Sequence, residues 1–340
     1  MDRRFRVAVI GATGLIGETL ITVLEERDFP VSQLHALASE RSLGRSVSLR
    51  GRRYPVQELA DFDFAQCDFA LFCAGAQVSR EYVPRAVAAG CLVIDSSSEF
   101  SYQEDVPLVV PEVNPHALAG VGTRGIVANP SCCTIQMVLV LKPLYDAAGI
   151  EGIEVATYQS VSGAGRAALE ELARQSTDAL SGKGLAADAG IGQIAFNCVP
   201  HIDSFQDNGY TREEMKLVWE TRKILGDAAL RVNATAVQVP VFYGHSEAVH
   251  IQTRRPLSAD QARELLRKAP GVTVMDERRA GGYPTAATEA AKRDTVYVGR
   301  IREYLAPDRG LNLWIVADNV RKGAATNSVQ IAEALAQRPI

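Results

Sequence analysis

The sequence predicts an α/β protein in which a doubly wound parallel sheet comes first and an α+β domain second. Three observations carry that expectation. The chain has 340 residues, more than one ordinary hydrophobic core accommodates. Up to about residue 130, short apolar strands alternate with helical patterns, as parallel strands joined by crossover helices do. Beyond that point the strands lengthen and alternate in polarity, which suits a mostly antiparallel or mixed sheet.

Residues 6–10 read as a buried strand, and Gly11-Ala12-Thr13-Gly14-Leu15-Ile16-Gly17 follows at once. A helix is expected over 15–26, with Ile16, Leu20, Val23 and Leu24 on one face. Further strands are expected at 34–38, 69–73, 92–94 and 125–128, and a helix over 80–89. Later helices are expected over 134–147, 167–180, 212–225 and 258–268, and strands near 153–158, 233–239 and 248–253. Residues 319–337 read as a final helix. The expected domains are therefore 1–130, with 318–340 packing back on it, and 131–317.

The charged fraction is 22% and the apolar fraction 47%, both ordinary for a soluble globular chain. A net charge of −4 without a long basic block speaks against nucleic acid, leaving a small molecule as the expected partner. The longest apolar runs, such as 137–141 and 313–317, are far too short to span a membrane. No apolar signal region precedes the first strand, so a cytoplasmic location is expected. The cysteines at 67, 73, 91, 132, 133 and 198 lack paired metal-site spacing, and no metal is expected. Cys67, Cys73 and Cys91 read as small core residues.

The spacing Gly11-x-x-Gly14-x-x-Gly17, after a strand and at a helix start, marks a dinucleotide site of the Rossmann type. Glycines allow the tight turn, and the backbone from Gly11 through Thr13, Gly14, Leu15 and Ile16 approaches a pyrophosphate at the helix N-terminus. The second strand ends in Ser39-Glu40-Arg41-Ser42. NAD enzymes usually place an acid there for the ribose hydroxyls. Ser39, Arg41 and Ser42 instead read as a clamp for a 2′-phosphate, with Glu40 turned away. NADP is the expected cofactor, a solvated loop with an ordinary surface arginine being the alternative.

Asn129-Pro130-Ser131-Cys132-Cys133-Thr134-Ile135-Gln136 places a thiol at a helix start, where free N–H groups and the helix dipole favour thiolate. On the residues alone, Cys132 and Cys133 are equal candidates, and a structural capping turn is the other reading.

The pattern Asn-Pro-x-Cys-x-Thr-Ile-Gln resembles the nucleophile motif of the aspartate-semialdehyde dehydrogenase family, with Cys132 in the nucleophile position. Further ordered blocks at 158–165, 207–216, 240–247 and 317–324 extend the resemblance along essentially the whole chain. It implies a Rossmann-type domain plus a catalytic and dimerisation domain that forms a homodimer. It also implies reductive dephosphorylation of L-aspartyl 4-phosphate through a Cys132 thioester, with NADPH as hydride donor. By the same resemblance His245 is the general acid/base, and Gln159 orients the reacting groups. Glu213 holds the substrate amine, Lys216 its phosphate, and Asn129 and Gln238 complete the substrate site. Ser162, Gly163 and Asn319 are assigned to the nicotinamide end. Read without the resemblance, His245 caps a turn, Glu213 and Lys216 form a surface ion pair, and His250 is structural within a strand.

Two positions depart from the family pattern. Gln238 stands in Val237-Gln238-Val239-Pro240-Val241 where an Arg is usual, and Ser101 ends Asp95-Ser96-Ser97-Ser98-Glu99-Phe100-Ser101 where another Arg is usual. Losing one bidentate carboxylate contact costs roughly 2–4 kcal/mol, and Glu99 adds an acid beside an expected anion site. Arg166 and Arg254 are candidates to compensate. Beside the active dehydrogenase stand two alternatives: a paralogue with lost or altered activity acting as a binding or regulatory protein, and a reductase for a less charged substrate. Ser131 and Cys133 are smaller departures, and the vicinal thiols suggest a site sensitive to oxidation.

Overall fold

The computed structural model describes residues 4–183, 192–305 and 310–337. The early elements are β1 (Phe5–Ile10), α1 (Leu15–Glu26), β2 (Val31–Ala38), β3 (Ser46–Leu49), β4 (Arg52–Glu58), β5 (Phe69–Phe72) and α2 (Ala76–Ala88). Then come β6 (Leu92–Asp95), β7 (Ile126–Ala128), α3 (Cys132–Ala148), β8 (Ile150–Gln159), α4 (Arg166–Leu180) and α5 (Arg212–Leu225). The last are β9 (Arg231–Gln238), β10 (His245–Thr253), α6 (Ala259–Arg267), β11 (Val272–Val274), β12 (Val296–Glu303), β13 (Gly310–Ala317) and α7 (Asn327–Ala336). They form two compact units, Met1–Ser131 with Gly323–Ile340, and Cys132–Lys322.

The first unit holds a seven-stranded sheet in the order β3-β4-β2-β1-β5-β6-β7, parallel except for the β3–β4 hairpin. Its central strands are apolar on both faces, as a sheet covered on both sides requires. Leu20, Ile21, Val23 and Leu24 bury one stripe of α1, and Phe5, Phe29 and Phe69 form an aromatic cluster below. The hairpin was not expected, because arginines and serines dominate 46–53 and read as loop. Arg50 and Gly51, at φ 52 and 74, make the tight turn that joins its strands.

The second unit holds a six-stranded mixed sheet, β11-β12-β13-β10-β8-β9. β10 runs antiparallel to both β8 and β13, while β8 and β9 run parallel. Helix α3 lies against β10 and β13, with α5 and α6 beside it. The other sheet face leaves Tyr158 and His250 exposed and Trp314 half-buried, with Tyr158 and Trp314 in ring contact at 5.5 Å. Strands β11 to β13 were not foreseen: β12 carries exposed arginines and an irregular register near Gly299 that hide its alternation.

The expected helix over 319–337 is present as continuous helical backbone from Arg321 to Ala336. A π-type turn spans Arg321–Thr326 before α7 begins. Asp318 accepts the backbone N–H groups of Val320 and Arg321 at 2.8 and 3.0 Å, which caps the start of this helical run. Residues 318–322 accordingly group with the second unit.

The glycine turn sets the tightest steric demand in the first unit. A Cβ on Gly17 would stand 2.2 Å from the Gly11 carbonyl oxygen and 2.8 Å from the Ala12 Cα. Gly17→Ala is expected to destabilise the protein by about 1–3 kcal/mol, read as a lower urea midpoint with unchanged slope.

Candidate active site

In the first unit a cleft of about 660 Å³ opens at the carboxyl ends of β1, β2 and β5, lined by Gly11, Thr13, Gly14, Ser39, Glu40 and Ser42 among others. That is where open parallel sheets bind nucleotides. Gly11 sits at φ +86, and a Cβ there would meet the Cys73 carbonyl oxygen at 3.1 Å. Gly14 caps α1 without a side-chain hydrogen bond, which leaves the first-turn donors around Leu15 and Ile16 for an anion. Thr13 and Ser42 hydroxyls meet at 3.0 Å across the cleft mouth. Glu40 is among the lining residues with Ser39 and Ser42, and both Glu40 and Arg41 are exposed. Residues 40–42 form one 3-10 turn, which points its three side chains in three directions.

Glu99, Ser101 and Asn129 each have partners within the first unit. Glu99 is not an isolated acid, because Arg80 grips it bidentately at 2.9 and 2.8 Å. Ser101 is buried, and its hydroxyl donates to the Ser97 carbonyl. Asn129, expected at the substrate, is buried with its amide engaged internally: it accepts from Asn327 at 2.7 Å and donates to Ser96 at 3.3 Å.

The second unit gathers the thiols and the imidazole. Cys132 is the first residue of α3, and its Sγ, that of Cys133 and a ring nitrogen of His245 all lie within 4.8 Å of one another. Cys132 is half-buried; Cys133 and His245 are fully buried. The backbone N–H of Ser160, at the end of β8, donates to His245 Nδ1 at 3.0 Å. A backbone N–H can only donate, so Nδ1 carries no hydrogen and the neutral ring holds its hydrogen on Nε2. Nε2 is buried with no hydrogen-bond partner, facing Gly163, where a Cβ would stand 3.5 Å from it. The ring is therefore set as a donor at Nε2 rather than as a free base. Asn319 fixes the Ser160 side: its Oδ1 accepts from the Ser160 hydroxyl, the Ser162 hydroxyl and the Gly244 N–H at 3.2, 3.0 and 3.1 Å.

The Cys132 thiol is held well below the ordinary range, first by a hydrogen bond from Cys133 and then, against the cost of burial, by His245. The Cys133 thiol is pushed up by burial and by the neighbouring Cys132. The two do not suit a disulfide, since consecutive Cα atoms lie about 3.8 Å apart and a disulfide spans about 4.4–6.8 Å.

A polar line runs beside these groups, buried at Gln159 and Glu213 and reaching the surface at Asp203. Gln159 donates to Glu213 at 3.2 Å, Glu213 accepts from Lys216 at 2.9 Å, and Lys216 reaches Asp203 at 3.2 Å. Glu213 and Lys216 are thus not a surface ion pair. Burial alone would lower the Lys216 pKa, but the Glu213 and Asp203 carboxylates outweigh it and hold the ammonium charged. Gln238 joins the same line, donating to the Gln159 carbonyl at 2.7 Å. Arg254 does not compensate for an arginine at 238. It pairs with Asp227 at 3.1 Å beyond the far end of β10, nine residues or roughly 30 Å of strand from His245. Arg166 is exposed at the start of α4. Sequence reading gave no role to Ser160 or Glu247. Ser160 acts through its backbone, and Glu247 shares the inner face of β10 with His245, a relation the two-residue spacing alone could have suggested.

The nucleotide-type cleft of the first unit and the thiol–imidazole site of the second define a dehydrogenase with a cysteine nucleophile. Residues 6–121 match the semialdehyde dehydrogenase NAD-binding domain, and residues 141–322 match the semialdehyde dehydrogenase dimerisation domain. The chain is 58% identical to an aspartate-semialdehyde dehydrogenase of Legionella pneumophila over 335 residues, covering 98% of this chain and 96% of that one. Its structure resembles aspartate-semialdehyde dehydrogenase II of Vibrio cholerae complexed with ASA, with a TM-score of 0.97, 51% identity, and coverage of 99% of this chain and all of that one. The Candida albicans aspartate-semialdehyde dehydrogenase with NADP superposes with a TM-score of 0.74 at 25% identity, covering 98% of each chain. The chain belongs to the aspartate-semialdehyde dehydrogenase family.

The Lys216 pairing makes a stability prediction. Lys216→Met leaves Glu213 and Asp203 without their cation and is expected to cost about 3 kcal/mol. Adding Glu213→Gln should recover part of that loss, as urea denaturation of the single and double variants would show.

Proposed function

We propose that this protein is an NADP-dependent aspartate-semialdehyde dehydrogenase, converting L-aspartyl 4-phosphate to L-aspartate 4-semialdehyde on the route to lysine, methionine and threonine. The observation that carries the reading is the Cys132 thiol at the start of α3, held toward thiolate with the His245 ring in the same cluster. The Vibrio cholerae relative complexed with ASA supports the substrate.

The chemistry follows from those groups. The Cys132 thiolate attacks the acyl phosphate carbon and expels phosphate, forming a thioester. The departing phosphate takes up one proton from solvent, the proton the overall reduction consumes, because the cysteine enters and leaves the cycle as thiolate. NADPH, when bound, supplies the hydride that reduces the thioester. His245, with its hydrogen on Nε2, stabilises the oxyanion that develops on the former carbonyl oxygen. Collapse of that oxyanion releases the aldehyde and returns the thiolate, so this step needs no base. Gln159 orients the reacting carbonyl, while Glu213 meets the substrate amine and Lys216 its anionic end. Gln238 offers an amide where an arginine would offer a charge, which places more of the anchoring on Lys216.

For the cofactor, the glycine turn, uncapped helix start and hydroxyls of Thr13, Ser39 and Ser42 fit a phosphate-bearing dinucleotide. Arg41, exposed beside the cleft, is the charge assigned to the 2′-phosphate, and the Candida albicans relative with NADP supports that choice. Glu40 is the residue that argues for NAD. Ser162, Gly163 and Asn319 beside His245 are assigned to the nicotinamide. The open face of the second sheet, with Tyr158 and Trp314, is the surface assigned to a homodimer, supported by the dimerisation-domain match. A cytoplasmic location remains the expectation; no helix among the described residues is long and apolar enough to cross a membrane.

The primary test is NADP⁺ reduction with aspartate semialdehyde and phosphate. Wild type is expected to turn over, and Cys132→Ala to lose at least about 10³-fold in kcat. Absence of turnover with nucleotide binding intact would leave the inactive paralogue. In the same assay Gln238→Arg should lower the KM for the semialdehyde. Arg41→Ala should raise the KM for NADP⁺ about tenfold, the equivalent of 1.4 kcal/mol, without changing that for NAD⁺. An equal effect on both dinucleotides would overturn the NADP assignment.

A further inference from the structure

The proposed reaction uses Cys132 and His245 but gives nothing to the buried groups directly behind them. Cys133 is the next residue of α3, fully buried, and Gln136 lies one turn on, also fully buried. From β10, Glu247 projects on the same inner face as His245 and is completely inaccessible. Neither Glu247 oxygen completes a hydrogen bond of ordinary geometry, nor does either polar atom of the Gln136 amide. The polar neighbours of Glu247 are Gln136 and Cys133. Buried polar groups without partners are rare, and such a cluster behind a nucleophile calls for a reason.

We propose that Cys133 is a positioning residue for the nucleophile: its single S–H hydrogen is directed to the Cys132 sulfur, with Glu247 and Gln136 closing the other side of the thiol. The Cys132 and Cys133 sulfurs lie within 4.8 Å of each other, and among the described residues His245 is the one other member of their cluster. Cys133 has one hydrogen to give and two neighbours that would accept it, the Cys132 sulfur and the Glu247 carboxyl. Which one receives it depends on whether Glu247 is charged. Burial without a cation drives Glu247 well above the usual carboxylate range, and negative charge on Cys132 drives it further. A neutral carboxylic acid carries its own hydrogen for Gln136 and leaves the Cys133 hydrogen to the Cys132 thiolate. The groups facing this pair are His245 and Glu247 from β10, Gln136 from α3 and, by charge, Glu213 from α5. Glu213 works against a thiolate at 132, so a donor beside it has a purpose.

The test reads Cys132 alkylation by iodoacetamide against pH, with the modified residue identified by mass spectrometry. It needs neither substrate nor cofactor, so it stands apart from the assay of the proposed reaction. The thiolate is the reactive form, so the rate rises with pH through the Cys132 pKa. Removing a stabilising donor moves that inflection up. Cys133→Ala is expected to shift it upward by about one to two units, the worth of a hydrogen bond to a charged group. The high-pH plateau should stay unchanged. Cys133→Ser, which keeps a donor, should restore the wild-type inflection, and Glu247→Gln, a neutral isostere, should leave it in place. An unshifted profile in Cys133→Ala, or a serine variant no better than the alanine one, would overturn the proposal. The serine variant also guards against misfolding, since a purely packing role would not distinguish S–H or O–H from CH₃ by pH.

Discussion

The second unit is organised around one hydrogen bond, from the backbone N–H of Ser160 to Nδ1 of His245. It joins the end of β8 to the start of β10, two strands already in antiparallel register with Ser246 opposite Tyr158. Because the donor is a peptide group, the bond dictates the tautomer as well as the orientation of the ring. Asn319, arriving from the end of β13, holds the two serine hydroxyls and the Gly244 N–H together, so three chain segments converge on one imidazole. The thiol reaches the same point from a fourth segment, the start of α3. Helix α3 is itself fixed by an almost continuous buried surface from Cys133 to Leu141.

That arrangement bears on what the imidazole does. A ring whose Nδ1 is occupied by a backbone donor cannot carry a hydrogen there without opposing that donor. In the proposed reaction it therefore contributes as a hydrogen-bond donor at Nε2, in the manner of a preorganised oxyanion partner. The Cys133 hydrogen bond comes first among the influences that lower the Cys132 thiol, with the His245 ring after it. Acid–base exchange by His245, expected from resemblance, requires Nδ1 to take up a hydrogen against the Ser160 N–H.

The departures at 101 and 238 look different once side chains have partners. Glu99 is neutralised by Arg80, and Ser101 fills a buried position with a local hydrogen bond. Gln238 uses its amide to tie β9 to the Gln159 carbonyl, directly beside the Gln159–Glu213–Lys216 line. An uncharged residue there avoids placing a second cation near Lys216, at the cost of a weaker grip on an anion. The polar line itself remains complete.

The sequence by itself determined the α/β class, the glycine turn, most helices to within a few residues and the identity of Cys132, His245, Glu213 and Lys216 as residues worth watching. These are local signals: periodicity, turn chemistry and a helix start are written in consecutive residues. Strands β3, β4 and β11 to β13 escaped because their pairing partners, rather than their own composition, make them strands. Tertiary structure alone decided that Arg254 stands beyond the far end of β10, that Glu40 lines the cleft, and that Asn129 bonds to Asn327. It also decided the tautomer of His245 and the company Cys133 keeps. Each of those depends on groups distant in sequence meeting at hydrogen-bond range, which no spacing along the chain records.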